Sequence, residues 1–288
     1  MLHVIINPVA GNGRANAIGA QVAETLEREG RLHGISRTEA IGHATELTKR
    51  AIRDGAQTVV AVGGDGTVRE VVLGLIGTDA ALGIIPAGTG NDSSKMLGLP
   101  KKPSEALQHI LANPAKGVDA GFVGDSLFFN VSGIGFDACV LDYANKAKKY
   151  VRGMLPYLWG VIRAIFTFYP ADLTYRIDGA APERRKLLIM AIANGNCFGG
   201  GLVIAPDAYP DDGLFDLVLV DSMPRHRLAL SLPKLVSGRV KEIQGVRICR
   251  CKRVQVSGQN MRVNVDGELV SMAEAAFELK ERALMAHW

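Results

Sequence analysis

Gly63-Gly64-Asp65-Gly66-Thr67 follows directly on an apolar run at residues 58–62 and precedes a stretch with helical periodicity. A buried strand, a glycine-rich turn and a helix in that order form the unit from which open α/β sheets are built. Glycines let backbone N–H groups approach a phosphate closely, and a helix beginning near Thr67 would point its positive end there. Asp65 would repel a phosphate, so we expect it to act through Mg²⁺ or to orient another polar group. Taken alone, the motif also fits a tight turn in which Asp65 or Thr67 caps the helix.

Two more glycine-containing loops stand at corresponding places in the chain. Asn-Pro-Val-Ala-Gly-Asn-Gly at residues 7–13 follows the apolar run 3–6, and Ala-Gly-Thr-Gly-Asn-Asp at residues 87–92 follows the run 82–85. Between these runs, apolar residues recur at helical spacing at Ile18, Val22 and Leu26 and again at Ala44, Leu47 and Ala51. The carboxyl ends of parallel strands meet at one sheet edge, where such folds bind ligands, so the three loops predict one pocket.

Common nucleotide motifs are absent from these loops. No glycine is followed five residues later by Gly-Lys-Ser or Gly-Lys-Thr, and no Gly-x-Gly-x-x-Gly follows the first strand. The sequence therefore supports neither a P-loop NTPase nor an ordinary dinucleotide-dependent dehydrogenase.

The pattern changes near residues 114–118. Further on, strand-like runs succeed one another at 127–131, 172–177, 187–193, 215–220, 248–256 and 275–279, and residues 141–168 form a helical insertion. We expect a Rossmann-like parallel α/β domain at 1–117, a mostly antiparallel β-sandwich at 118–280, and a tail at 281–288 that packs on the first domain.

Composition narrows the function further. A chain of 288 residues is long enough for two hydrophobic cores. Its net charge of +4 is small, which disfavours a dedicated nucleic-acid binder. No signal-peptide pattern opens the chain, and the apolar run at 154–169 is shorter than a membrane span, so we expect a cytoplasmic protein. The four cysteines lack disulfide or zinc spacing, and alternation places Cys249 and Cys251 on one strand.

The chain resembles the bacterial diacylglycerol kinase and sphingosine kinase superfamily. The matching motifs occur in the family's order, and they are Asn7-Pro-x-x-Gly11, Gly63-Gly-Asp-Gly-Thr67, Pro86-x-Gly-Thr-x-Asn-Asp92, Gly133-Ile-Gly-Phe-Asp137, Asp212-Gly-x-Phe-Asp216 and Asp266-Gly-Glu268. The Gly-Gly-Asp-Gly-Thr loop also resembles NAD kinases, whereas the full series is specific. The resemblance implies an ATP- and Mg²⁺-dependent kinase of phospholipid metabolism, with a lipid substrate.

The resemblance also implies roles for individual residues. Glu268 would accept the proton of the lipid hydroxyl, with Asp266 and Asp65 as further catalytic residues. Asp212 would hold a structural Mg²⁺ together with backbone carbonyls near Tyr209 and Leu214, while the catalytic Mg²⁺ arrives with ATP. The nucleotide-binding residues would be Asn7, Pro8, Gly11, Thr38, Gly63, Gly64, Asp65, Gly66, Thr67, Glu70, Gly88, Thr89, Asn91 and Asp92.

One departure from the family pattern concerns the residues after Asn91-Asp92. The family usually continues with an aromatic residue, a small residue and arginine, whereas this chain has Ser93, Ser94 and Lys95. Lysine keeps the positive charge but lacks the bidentate fork of arginine, which puts substrate preference rather than ATP binding in doubt.

A basic cluster at residues 146–152 precedes the bulky apolar stretch 154–159, a combination suited to peripheral contact with an anionic membrane. The alternative is a helix packed on the second domain with a solvated basic end. A second basic stripe, at Arg247, Arg250, Lys252 and Arg253, fits the exposed side of a strand, and His43 fits a helix start rather than a metal ligand.

Two other functions stay open beside the lipid kinase. One is an NAD kinase-like enzyme, and the other is a non-catalytic regulator that binds nucleotide or lipid. The acceptor lipid, the nucleotide donor and the oligomeric state, including a homodimer, are also open.

Overall fold

The computed structural model describes residues 1–147 and 155–288. By its internal contacts the chain divides into two compact units, one formed by Met1–Ala120 with Glu281–Trp288 and the other by Gly121–Lys280. The chain passes between them twice, in β5 (Ala115–Val123) and in β17 (Glu274–His287).

The first unit alternates strands and helices, as the spacing of its apolar residues predicts. Its strands are β1 (Leu2–Ile6), β2 (Leu32–Arg37), β3 (Thr58–Gly63) and β4 (Ala81–Pro86). Its helices are α1 (Arg14–Arg28), α2 (His43–Arg53), α3 (Asp65–Leu75), α4 (Asp92–Met96) and α5 (Pro103–Ala112).

The strands of this unit form a parallel sheet in the order β4, β3, β1, β2. The end of β17 joins it, with Met285 and Ala286 pairing in parallel with Ala81 and Leu82 of β4. Both β3 and β4 are buried along their whole length, which explains their continuous apolar runs.

Helices cover the sheet of the first unit on both faces. One core cluster joins α1 and α5 to the side chains of Val4, Val60 and Ile85. Side chains alternate along a strand, so Ile5 and Ala61 face the opposite side, where α2 and α3 pack against the strands and each other. Leu47, predicted to be on the buried face of α2, is only half-buried, and Thr48 is buried there instead.

The second unit is built from antiparallel strands with helices inserted. Its strands are β6 (Ser126–Phe128), β7 (Val131–Gly135), β8 (Ala171–Ile177), β9 (Glu183–Ala193), β10 (Cys197–Phe198), β11 (Leu202–Val203), β12 (Phe215–Asp221), β13 (Val246–Cys251), β14 (Arg253–Gly258), β15 (Arg262–Val265) and β16 (Glu268–Ser271). Its helices are α6 (Phe136–Ala147), α7 (Leu155–Thr167), α8 (Arg225–Val236) and the 3-10 turn Val240–Glu242.

Two cores flank the sheet of the second unit. One of them combines aliphatic with aromatic side chains, and the rings of Phe128 and Phe215 stack there with centroids 5.5 Å apart. The other core lies under α6, α7 and α8, and alternate residues of β9 such as Met190 and Ala191 enter opposite cores. The predicted fold class, a parallel α/β domain followed by a β-rich antiparallel domain, is therefore confirmed.

Two strands predicted as continuous are each broken in the structure. The predicted strand at 127–131 bends between Phe128 and Val131, and the predicted strand at 248–256 is two strands that meet at Lys252. Cys249 and Cys251 do share one strand, β13, as predicted. Among the residues described, no helix is long and apolar enough to span a membrane.

Candidate functional site

The predicted nucleotide loops begin where parallel strands end. Asn7 follows β1, Thr38 follows β2, Gly63 closes β3, and residues 87–92 follow β4. Ile6 lies opposite both Arg37 and Val62, and Gly63 lies opposite Pro86, so all four segments lie at the same edge of the sheet. Thr38 lies beside Asn7 through this register, and its N–H donates to the carbonyl of Ile6 at 2.9 Å.

The three glycine loops contact one another through their backbones. A Cβ on Gly11 would lie 2.0 Å from the carbonyl oxygen of Ala87, and one on Gly88 would lie 2.4 Å from Cα of Gly64. These gaps accept no side chain, so the glycines permit a packing that any other residue would open. The structure thus brings together the loops that the sequence placed at one edge.

Hydrogen bonds tie the same loops together. Asn7 Nδ2 donates to Thr67 Oγ1 at 2.9 Å, which joins the first loop to the helix after the second. The carbonyl of Gly63 accepts the N–H groups of Ala87 and Gly88 at 2.8 and 3.1 Å. Within the third loop, Asn91 Oδ1 accepts the N–H of Gly88 at 2.9 Å, while Thr89 is exposed.

Helix α3 begins at Asp65, two residues earlier than expected, because extended Gly64 precedes the first helical turn. The N–H groups of a first helical turn have no partner within the helix and carry its positive dipole end. The Cβ position of Gly66 meets no atom within 4 Å, so the start of α3 is open on that side. This combination suits an anionic group.

Asp65 is held by a residue outside its own loop. Its Oδ1 accepts the N–H of Ser93 at 2.9 Å and the Ser93 hydroxyl at 3.2 Å. Burial, followed by the nearby Asp92 carboxylate, raises the pKa of Asp65. Asp65 thus orients Ser93, which the sequence analysis noted only as a departure from the family pattern, and its predicted roles in catalysis and through Mg²⁺ stay predictions.

Two other residues of this region are engaged within the unit. Glu70 Oε2 accepts the N–H of Ala44 at 3.0 Å, and the Glu70 carbonyl accepts the Thr45 hydroxyl at 2.8 Å. Glu70 therefore caps the start of α2, and its predicted contact with the nucleotide stays a prediction. Lys95 Nζ lies 3.1 Å from Asp92 Oδ1, so the lysine at the family's arginine position pairs with a carboxylate of its own helix.

In the second unit, Asp266 and Gly267 form the two-residue turn between β15 and β16. Their φ angles are 47° and 92°, and Val265 pairs with Glu268 across the hairpin. Both residues have a left-handed backbone conformation, as a type I′ turn requires. Glu268, the predicted proton acceptor, begins β16 and is exposed.

Asp266 anchors this turn to the chain at residues 129–131. Its carboxylate accepts the N–H groups of Phe129, Asn130 and Val131, those of Asn130 and Val131 at 3.1 and 3.0 Å. This explains the bend between β6 and β7, because the carboxylate holds N–H groups that a continuous strand would pair. Asp266 thus holds the backbone beside Glu268, and its predicted catalytic role stays a prediction.

Hydrogen bonds between buried polar groups also support the turn at Asp266 and Gly267. Asn264 Nδ2 donates to Asp137 Oδ2 at 3.2 Å, and Asn264 Oδ1 accepts the N–H of Gly267 at 2.8 Å. Asp137 is 7% exposed, and burial raises its pKa to about 6. Sequence reasoning included Asp137 in a motif but missed Asn264, because no local pattern marks an asparagine that bridges two distant segments.

The predicted structural magnesium site is arranged as an ion pair. Asp212 Oδ1 accepts the N–H of Leu214 at 3.1 Å, and Oδ2 is bound by the Arg250 guanidinium. Tyr209 is exposed, and no group of three or more His, Cys, Asp or Glu side chains among the described residues could hold a metal ion. A guanidinium therefore pairs with this carboxylate in the structure, and the predicted magnesium site stays a prediction.

The structure describes the second basic stripe and His43, but only part of the predicted basic cluster. Arg250, Arg247 and Arg253 of the second basic stripe form ion pairs with Asp212, Glu183 and Glu278. His43 is the first residue of α2, and its Nδ1 accepts the N–H of Glu39 at 3.1 Å. The predicted basic cluster at 146–152 lies outside the described residues, apart from Lys146 and Ala147.

Comparison with known families and proteins follows the division of the chain. Residues 1–123 match the diacylglycerol kinase catalytic domain. Residues 130–286, more than half of the chain, match the YegS C-terminal NAD kinase β-sandwich-like domain.

Similar proteins cover nearly the whole chain. A diacylglycerol kinase of Mycobacterium tuberculosis is 31% identical over 97% of this chain and 92% of its own length. A probable YegS-like lipid kinase of Pseudomonas putida is 33% identical over 85% of this chain and 82% of its own length.

Solved structures confirm the fold. A crystal structure of a diacylglycerol kinase from Bacillus anthracis superposes with a TM-score of 0.76 at 22% identity, covering 100% of this chain and 96% of the other. A second structure from that organism gives a TM-score of 0.82 at 24% identity, covering 100% and 97%. The resemblance inferred from the motifs is confirmed, and this chain belongs to the diacylglycerol kinase family, together with the YegS-like lipid kinases.

Proposed function

We propose that this chain is an ATP- and Mg²⁺-dependent lipid kinase that transfers the γ-phosphoryl group of ATP to the hydroxyl of diacylglycerol or a related lipid. The observation that carries the proposal is the convergence of three glycine loops around the start of α3. Phosphoryl transfer depends mainly on positioning and charge neutralisation, which such a cradle of backbone N–H groups supplies.

The first unit would bind the nucleotide. The N–H groups at the start of α3 would donate to phosphate oxygens, and Gly66 has the open space that a bound phosphate needs. Asn7, Thr38 and Thr89 lie at the same sheet edge and would contact the rest of the nucleotide. Asp65 would keep Ser93 and the third loop in place through its two hydrogen bonds.

Glu268 would act on the lipid hydroxyl. Its carboxylate would take the hydroxyl proton while the oxygen forms a bond to the γ-phosphorus and the bond from that phosphorus to the bridging oxygen of ADP breaks. The turn before Glu268 is fixed by Asp266 on one side and by Asn264 on the other, so little of its conformational freedom remains to be lost.

Magnesium would arrive with ATP and neutralise charge on its phosphates. We assign no step to a second, structural ion, because Asp212 is paired with Arg250. Diacylglycerol is the acceptor proposed here because a relative of 31% identity, which covers nearly the whole chain, is a diacylglycerol kinase.

The proposal is tested by incubating the purified protein with Mg²⁺ and γ-labelled ATP, with either diacylglycerol in mixed micelles or NAD⁺ as acceptor. We expect label in a lipid phosphomonoester and none in the dinucleotide. Labelled NADP⁺ would establish the NAD kinase-like alternative instead. Absence of transfer to either acceptor, with ATP still bound, would favour a non-catalytic regulator.

A further inference from the structure

Arg14 is the first residue of helix α1 and directly follows the first glycine loop. Its Nε donates to the carbonyl of Gly11 at 3.2 Å. A Cβ on Gly11 would lie 3.5 Å from that Nε and 2.0 Å from the carbonyl oxygen of Ala87. The guanidinium of Arg14 therefore lies where the first and third glycine loops meet.

The backbone that precedes Arg14 is held in a compact turn. Gly11, Asn12 and Gly13 have positive φ angles of 58°, 59° and 90°. The N–H of Gly13 donates to the carbonyl of Ala10 at 3.1 Å, which closes the turn. Since this turn packs against the third loop, it fixes the start of α1, and with it Arg14, beside the glycine loops.

Most of the hydrogen-bonding capacity of Arg14 is unused. The side chain is exposed, and only Nε takes part in the bond to Gly11, so the donors of both terminal NH₂ groups remain for another acceptor. Among the residues that the structure describes, no carboxylate forms an ion pair with Arg14. The guanidinium is therefore oriented at one nitrogen and available at the other two.

The other charges beside the loops do not offer a cation to a phosphate. Lys95, which follows the third loop, lies 3.1 Å from Asp92 Oδ1 and pairs with it. Asp65 and Asp92 are acidic, and in their charged form they would repel a phosphate. Of these four charged groups, all in the described part of the chain, Arg14 is the one that presents an uncompensated positive charge.

A guanidinium suits a polyphosphate for two reasons. It keeps its charge throughout the physiological pH range, and its planar fork binds two phosphate oxygens at once. Positive groups placed on the β- and γ-phosphates stabilise the charge that develops during phosphoryl transfer. Because Gly11 already orients the guanidinium, less conformational freedom is lost when the phosphates bind.

We propose that Arg14 binds the β- and γ-phosphates of ATP through the terminal NH₂ groups of its guanidinium, while Nε stays bound to Gly11. This inference rests on the proposed function, since it adds a phosphate-binding residue to the nucleotide site. The motif Asn-Pro-x-x-Gly ends at Gly11, which explains why the motif alone does not mark Arg14.

Nucleotide binding tests the proposal without any phosphoryl transfer. The full chain is titrated calorimetrically, in the presence of Mg²⁺, with AMP, ADP and a non-hydrolysable ATP analogue. We expect Arg14→Gln to bind ADP and the ATP analogue about tenfold or more weakly than the wild type, because charge-assisted hydrogen bonds are lost. The affinity for AMP should stay unchanged. An equal loss for all three nucleotides, or no loss for any, would overturn the proposal.

Matched variants separate the position of the charge from its presence. Arg28→Gln removes an exposed arginine from the last turn of α1, about 20 Å from Arg14, and should leave every affinity unchanged. Arg14→Lys keeps the charge without the fork, so its affinity for the ATP analogue should lie between those of the wild type and Arg14→Gln. Equal weakening in Arg28→Gln and Arg14→Gln, each at the wild-type Tm, would show that net charge alone is responsible.

Kinase assays separate this inference from the proposed function. With diacylglycerol in mixed micelles, Arg14→Gln should lower kcat/KM for ATP about tenfold or more and leave KM for the lipid unchanged. Wild-type kinetics in this variant would contradict the role of Arg14 and leave the proposed function intact. A wild type that binds ADP more tightly than Arg14→Gln does, yet phosphorylates no lipid, would contradict the proposed function and leave phosphate binding by Arg14 intact.

Discussion

At the scale of single residues, Glu268 and Asp266 belong to one motif but differ in exposure and in hydrogen bonding. Glu268 is exposed at the start of β16, whereas the Asp266 carboxylate accepts three backbone N–H groups. Hydrogen bonds to a charged acceptor contribute about 1.5–3 kcal/mol each, and removing the acceptor leaves its donors unpaired. Glu268 is therefore accessible, as the proposed base must be, and Asp266 holds the turn that precedes it.

Substitution at the two positions should separate these roles. Glu268→Ala should lower kcat by about 10²–10⁴-fold with little change in Tm, because the proposed general base is lost from an exposed position. Asp266→Ala should lower the free energy of unfolding by about 3 kcal/mol or more. Steady-state kinetics and thermal unfolding on both variants provide the check, and a large Tm loss in Glu268→Ala would contradict the assignment.

Gly88 and Gly66 offer a second comparison within the nucleotide loops. Gly88→Ala should destabilise the first unit by about 1–3 kcal/mol, because the added methyl would meet Cα of Gly64. Gly66→Ala meets no atom within 4 Å, so it should keep the wild-type Tm while raising KM for ATP. The same Tm in both variants would show that the loops do not pack as described.

Asp137 should make the free energy of unfolding depend on pH, and the direction of the change follows from its pKa. Its pKa in the folded chain is about 6, above its ordinary value of 3.8, so the folded state binds more protons than the unfolded state between these values. The contribution of protonated Asp137 to the free energy of unfolding is therefore fully present below pH 3.8 and is lost as the pH rises through 6. Relative to Asp137→Asn, the free energy of unfolding of the wild type should fall by roughly 2.5 kcal/mol from pH 4 to pH 7, measured by urea unfolding. A pH-independent difference would contradict the buried, weakly compensated carboxyl group.

At the scale of elements, the sequence predicted most accurately those strands that are buried along their whole length. The apolar runs of β1, β3 and β4 match the predicted strands to within a residue, because strands buried on both faces need no long-range information. Both breaks in predicted strands come from distant carboxylates. Asp266 holds the bend between β6 and β7, and Asp178 Oδ1 accepts the N–H groups of Lys252 and Arg253 at 3.0 and 2.8 Å.

The candidate site was predictable to a similar extent. The glycine loops could be placed at one sheet edge from strand order alone, whereas Ser93, Asn264 and Arg250 could not be assigned partners. Their partners Asp65, Asp137 and Asp212 lie 28, 127 and 38 residues away. Only the tertiary structure brings such pairs together.

The end of β17 provides a prediction at the scale of an element. His287 Nδ1 lies 2.9 Å from the carbonyl of Asn113, and Nε2 lies 3.2 Å from the Thr58 hydroxyl, which fastens β17 to the first unit. Burial lowers the pKa of His287, so the unfolded state binds more protons and stability falls as the pH drops below about 6.5. His287→Asn should flatten this dependence between pH 7.5 and pH 5.5, measured by urea unfolding. A variant that loses as much stability as the wild type would show that His287 is not the group responsible.

At the scale of the whole molecule, both halves of the chain match their counterparts in one family. The catalytic-domain match covers residues 1–123, and the β-sandwich match covers residues 130–286. The nucleotide loops belong to the first and Glu268 to the second. The proposed reaction would therefore use residues of both matched domains.

The most direct test is the phosphorylation of a lipid library with ATP and Mg²⁺, read by mass spectrometry for wild type and Glu268→Gln. We predict that the wild type converts a lipid with a free hydroxyl, diacylglycerol foremost, into its phosphomonoester, and that Glu268→Gln binds ATP but forms little product. No phosphorylated lipid from the wild type, or equal product from both proteins, would contradict the account.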